Sequence, residues 1–199
     1  LSYFRDNSFL FLETEIDILS IKKRNIHIVS NIEKNKNYYK NISIVKNLNL
    51  LYNIICNELF YRDDHIDYKD DFNYTNGSFI SKYSNIHKSA VIGKNNIITR
   101  GVEIGKNSII KNNVVIKNSI IGDNVVICDN SSIGTSGFGF DFNNRGSLNL
   151  NPQLGVTILD DNVHIGASCT IDRGKIDYTY IGKNTMIDNM VHIAPVSYT

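Results

Sequence analysis

This 199-residue chain has almost no net charge: 21 Lys and Arg stand against 20 Asp and Glu, a formal charge of +1. With a pI near 7.8 it offers no basic surface, so nucleic acid is not an expected partner. Cysteine is scarce. Cys56, Cys128 and Cys169 form an odd set without paired spacing, which argues against a disulfide framework and fits a reducing cytoplasm. No apolar run approaches the length of a bilayer and no signal peptide is visible, so no membrane span is expected. Tryptophan is absent, although Tyr and Phe are frequent. The chain opens on Leu1 and stops at Thr199 directly after a repeat, which reads as a fragment of something longer. The excess of Asn, Ile and Lys reads as genome bias, not function.

What is present, above all, is a period. Between Ile86 and Ile193 one apolar residue returns every six positions: Ile86, Ile92, Ile98, Ile104, Ile110, Ile116, Ile121, Ile127, Ile133, Leu159, Ile165, Ile171, Ile181, Ile187 and Ile193. Six residues match neither the 3.6 of a helix nor the alternation of a strand. They match a hexapeptide-repeat parallel β-helix, with one short strand and one corner per hexad and three hexads per triangular coil. The expected fold is therefore mainly β: a left-handed parallel β-helix over residues 86–199, preceded by a small α/β domain over 1–60 and a linker over 61–85. Cys169 falls at a small inward position and is expected to be a buried free thiol.

Three steps break the period. Ile116 to Ile121 is one residue short, Ile133 to Leu159 carries twenty extra, and Ile171 to Ile181 carries four extra. All fall between the third hexad of one coil and the first of the next. They should stack on one edge of the prism, where loops raised from a rigid scaffold can build a site. The last coil is followed by only six residues, so its open face is expected to fray or aggregate.

Ahead of the repeats, Leu1–Phe4, Asn25–Ser30 and Ile42–Val45 read as strands. Leu51, Ile54, Ile55 and Leu59 fall at helical spacing within an amphipathic helix over Leu48–Tyr61. Tyr61–Tyr83 contains the turn-forming Asn76-Gly77-Ser78.

Four motifs follow in order: Ile133-Gly-Thr-Ser-Gly-Phe-Gly-Phe140, Asn151-Pro-Gln-Leu-Gly155, Val163-His-Ile-Gly-Ala-Ser-Cys-Thr-Ile-Asp-Arg-Gly174 and Ile187-Asp-Asn-Met-Val-His-Ile-Ala194. Together they resemble the UDP-3-O-(3-hydroxyacyl)glucosamine N-acyltransferases of lipid A biosynthesis. The N-terminal region is similar to that family's uridine-binding domain. Leu1-Ser-Tyr-Phe-Arg-Asp6 is like its opening strand, and Val45-Lys-Asn47 before a helix is like its Asn-Pro-Tyr entry, with Leu48 and Asn49 replacing the Pro and Tyr. The resemblance implies transfer of a 3-hydroxyacyl group from acyl carrier protein to the 2-amino group of a UDP-glucosamine derivative. It also implies a histidine base, a homotrimer by analogy, and no cofactor.

An ammonium group is no nucleophile, so the reaction needs a base of near-neutral pKa. The family's histidine follows Ile-Ala in the last motif, and here that position is Pro195. The neighbouring His192 should face outward and is the candidate substitute base. Asp188 and Asn189 match sugar-pocket positions, with corner hydrogen bonding as the other reading. Phe138 and Phe140 are candidates for a pocket wall or for pinning the long loop. Asn47 and Tyr52 are candidate uridine contacts, with helix capping and core packing as alternatives. Asp172 and Arg173 read as a structural ion pair at a corner. His87, His164 and His192 are 77 and 28 residues apart, too scattered for a zinc site. Two other functions fit the same pattern: an acyl- or acetyltransferase acting on another surface-glycan nucleotide sugar, or a sugar-nucleotide-binding solenoid without catalysis.

Overall fold

The computed structural model describes residues 8–12, 26–60, 72–142 and 146–194. The chain divides into two compact units, Leu1–Tyr61 with Asp141–Asn149 and Thr199, and Arg62–Phe140 with Leu150–Tyr198. Among the described residues no helix is long and apolar enough to cross a membrane.

The N-terminal unit holds a parallel sheet of β1 (Ser8–Leu12), β2 (Ile26–Ser30) and β3 (Ile42–Ile44), followed by helix α1 (Leu48–Phe60). Ile28 and Val29 of β2 are buried, as are Leu48 and Tyr52 one helical turn apart. Ile54, expected on the apolar face, is 50% exposed. Helical spacing groups residues into a stripe, but it does not say which stripe is covered. The strand read at Leu1–Phe4 lies outside the described residues, and β1 carries no alternation that would have announced it.

The second unit is the left-handed parallel β-helix that the period implies. Its first face stacks β6 (Asn85–Ile86), β9 (Glu103–Ile104), β12 (Ser119–Ile121), β17 (Val156–Leu159) and β20 (Tyr178–Ile181). The second stacks β7 (Val91–Ile92), β10 (Ile109–Ile110), β13 (Val126–Ile127), β18 (His164–Ile165) and β21 (Met186–Ile187). The third stacks β8 (Ile97–Ile98), β11 (Val115–Ile116), β14 (Ser132–Thr135), β19 (Thr170–Asp172) and β22 (His192–Ile193). The hexad Ile residues pair with one another in register, for example Ile116 with Ile133, and Ile133 with Ile171. From Ile98 to Ile171 they are almost completely buried, with Val102, Val114, Val125, Val163 and Cys169 in a second inward row. Cys169 is the free buried thiol expected, its Sγ donating to the Asp188 carbonyl at 3.1 Å.

Below β8 the third face continues into a hairpin of β4 (Phe72–Thr75) and β5 (Ser78–Ser81), within the stretch read as linker. Its two-residue turn, Asn76 (φ 50°) and Gly77 (φ 76°), has the paired positive φ of a type I′ hairpin. β5 lies parallel to β8 with Ile80 against Ile98, so the stack begins one strand before Ile86.

Asparagine proves to be structural. Asn107, Asn124, Asn162 and Asn184 occupy the first-to-second corner at φ of 55–62°. Asn95, Asn113 and Asn130 do so at the second-to-third corner, φ 57–62°. Asn tolerates the left-handed region better than other side-chain-bearing residues. Its amide also forms a ladder, Asn107 to Asn124 (3.4 Å), Asn124 to Asn162 (3.3 Å) and Asn162 to Asn184 (3.0 Å). These corners give a structural use to seven of the chain's many Asn residues.

Candidate functional site

The three breaks in the period share one vertex, since each lies between a strand of the third face and the next strand of the first. β11 runs into β12 through the shortened turn, β14 into β17 through the long insertion, and β19 into β20 through the smaller one. Within the long insertion β15 (Phe140–Phe142) and β16 (Leu148–Leu150) form their own two-stranded ladder.

At this vertex the register slips. Ile133 stands opposite Ile171, but Thr135, not Gly134, stands opposite Asp172. Gly134 is the extra residue of a bulge, at φ 75°. A Cβ there would run into the Lys117 carbonyl oxygen of the coil below, so only glycine fits. The bulge brings the Thr135 hydroxyl to Asp172, donating to Oδ1 at 3.0 Å. From the next coil His192 places Nε2 at 3.0 Å from Asp172 Oδ2.

Asp172 is only 4% exposed, whereas the His192 side chain is 60% exposed. A buried carboxylate can only accept, so Nε2 carries the hydrogen, and Nδ1 is left with a free lone pair. Thr135, Asp172 and His192 thus form a chain of hydrogen bonds that fixes the imidazole tautomer. Asp172 was expected to pair with Arg173; instead its carboxylate serves Thr135 and His192. The Arg173 Nε donates to the Gly155 carbonyl at 2.6 Å.

The loops are stitched together around these three residues. Arg173 N–H donates to Thr135 O (2.8 Å), Leu154 N–H to Lys175 O (2.8 Å) and Val156 N–H to Asp177 O (3.0 Å). Gly155 approaches so closely that a Cβ would meet the Asp177 and Gly174 carbonyl oxygens. Gln153 is 6% exposed, and its Oε1 has no hydrogen-bond partner among the described residues. A buried acceptor without a donor is costly, and a ligand hydroxyl or N–H would relieve it.

The other candidates are dispersed. Phe138 is 92% exposed and Phe140 44%, their rings edge-to-face with centroids 4.7 Å apart, so they present an apolar surface at the insertion. Asp188 and Asn189 sit at the second-to-third corner, away from the uneven vertex. Asp188 Oδ1 accepts from Asn189 N–H and Asn189 Oδ1 accepts from Ala167 N–H, both at 2.7 Å, which is corner chemistry. Asn47 Oδ1 accepts from Leu50 N–H at 2.9 Å and caps α1. Tyr52 is 3% exposed in α1. Pro195 lies outside the described residues. The pairing of Thr135 with Asp172 had no signal in spacing, because the bulge creates their alignment.

Comparison with known proteins agrees with this architecture. Residues 83–118 match the bacterial transferase hexapeptide (six repeats). A UDP-3-O-acylglucosamine N-acyltransferase of Caulobacter vibrioides (strain NA1000 / CB15N) is 50% identical over 62 residues, 31% of this chain and 18% of that protein. The chain therefore spans less than a fifth of the length of the relatives it matches. The crystal structure of the Francisella novicida UDP-N-acetylglucosamine acyltransferase superposes with a TM-score of 0.52 at 27% identity, covering 61% of this chain and 43% of that one.

Proposed function

We propose that this chain carries the catalytic edge of an N-acyltransferase, with His192 as general base, oriented by Asp172 and Thr135. The substrates in this reading are a 3-hydroxyacyl thioester on acyl carrier protein and a UDP-glucosamine derivative with a free 2-amino group, in lipid A biosynthesis in the cytoplasm. The observation that carries it is the buried Asp172 carboxylate holding an exposed imidazole at the one irregular vertex.

His192 Nδ1 would take a proton from the amine as its nitrogen attacks the thioester carbonyl. The C–N bond forms, the C–S bond breaks, and the proton passes to the departing thiolate. Phe138 and Phe140 would wall the acyl chain, and Gln153 Oε1 would accept from a sugar hydroxyl. Asp188 and Asn189 would act only from a sugar group reaching their corner. A homotrimer is part of the proposal by analogy with related solenoids.

The test is amide formation from 3-hydroxyacyl-acyl carrier protein and UDP-3-O-acylglucosamine by this chain. Product whose formation collapses in H192Q supports the reading. Transfer from acetyl-CoA alone would point to the acetyltransferase of another nucleotide sugar. Sugar-nucleotide binding without transfer, even after Pro195→His, would leave a binding solenoid.

A further inference from the structure

The second face carries a cluster that the proposed chemistry does not use. Cys128 follows directly on Ile127 of β13, and His164 opens β18 in the next coil. Cys128 Sγ and His164 Nε2 are 3.6 Å apart. Cys128 is a half-buried free thiol and His164 is exposed. One coil further, Met186 stands in register with His164 and is 82% exposed. Neighbouring parallel strands lie about 4.8 Å apart, within reach of a thioether on three rotatable bonds. A thiol, an imidazole and a thioether thus come from three successive coils onto one outer face.

We propose that Cys128, His164 and Met186 form a surface site for a soft cation, Cu(I). An ion about 2.3 Å from sulfur and about 2.0 Å from nitrogen requires the two ligands to be roughly 3.5 Å apart at a tetrahedral angle and roughly 3.7 Å at a trigonal one. The observed 3.6 Å lies within this span. Thiolate and thioether ligands select Cu(I) over hard divalent ions. Among the described residues no group of three His, Cys, Asp or Glu is placed to hold a metal, so the set closes only through the thioether. Asp129, next to Cys128, is tied to the coil below: its Oδ1 accepts from Asn112 N–H and Nδ2, both at 2.9 Å. As the S–Cu bond forms, the thiol proton passes to the buffer.

The experiment is an anaerobic Cu(I) titration of the whole chain, in a Cys56→Ser background, against a chromophoric chelator such as bicinchoninate. One tightly held equivalent is expected, weakened by about a hundredfold in C128S and about tenfold in H164Q and in M186L. X-ray absorption should show both sulfur and nitrogen around copper. Stoichiometric Cu(I) should also block alkylation of Cys128 by iodoacetamide, a readout that requires no variant. Undiminished affinity in C128S overturns the site, as does binding indifferent to both H164Q and M186L. Alkylation unaffected by copper overturns it equally.

Discussion

At the first-to-second corner of the prism, Asn107, Asn124, Asn162 and Asn184 repeat one conformation coil after coil, each amide bonded to the next. At the third-to-first corner no such column exists among the described residues; the turn shortens, lengthens by twenty residues and lengthens by four. The regular corner spends its polar side chains on the coil itself. The irregular corner leaves Asp172, His192 and Gln153 with groups directed at one another or at nothing in the scaffold. Repetition therefore supplies rigidity, and interruption supplies chemistry.

The largest effect expected is on catalysis. H192Q should lower acyl transfer by about 10²–10⁴-fold, with D172N acting in the same direction by about tenfold or more. His192 is mostly exposed, so its replacement should leave the melting temperature nearly unchanged. A loss of equal size from Asn189→Ala would mean the second-to-third corner is the site instead.

A pair of glycines separates bulge from ordinary turn. Gly134 and Gly101 share the irregular vertex and have φ of 75° and 74°. A Cβ on Gly101 meets nothing within 4 Å, whereas one on Gly134 collides with the Lys117 carbonyl. Gly101→Ala should cost about 1 kcal/mol in urea unfolding, and Gly134→Ala more than about 2 kcal/mol. Only Gly134→Ala should also reduce transfer. Equal costs would remove the close approach as the reason for the glycine.

At the second-to-third corner Met190 departs from the Asn column, at φ 60° and 82% exposed. Met190→Asn should stabilise by about 0.5–1 kcal/mol, read as a small rise in melting temperature. A fall would show that the corner prefers Asn for a reason other than its backbone.

The smallest effect concerns Asp160. The Tyr180 hydroxyl, donating to its Oδ2 at 2.5 Å, is the first cause of a carboxyl held below its ordinary range. Its stabilising share is complete above the unfolded pKa of about 3.9 and is lost as pH falls through the lower folded value. Y180F should therefore flatten the dependence of stability on pH below about 4. An unchanged acid limb would assign the depression to the Asp161 N–H instead.

Much of this was legible in the residues. The hexad Ile series gave the three faces, the lengths of its three breaks gave the vertex, and position alone gave the buried Cys169 and the outward His192. Asp172 reads in sequence as half of an ion pair because its true partner depends on a one-residue bulge at Gly134, and periodicity carries no trace of such a slip. Asp188 and Asn189 carry both readings at once: Asx residues form turns readily, and a motif match does not tell a turn from a pocket. The corner role of Asn was hidden by its abundance.

The most direct test is the tautomer of His192. In histidine-labelled ¹⁵N NMR of the neutral imidazole, Nε2 is expected to bear the hydrogen, Nδ1 to resonate as the unprotonated acceptor, and D172N to abolish that preference. A proton on Nδ1, or a tautomer indifferent to D172N, would contradict a carboxylate-held base at the irregular vertex.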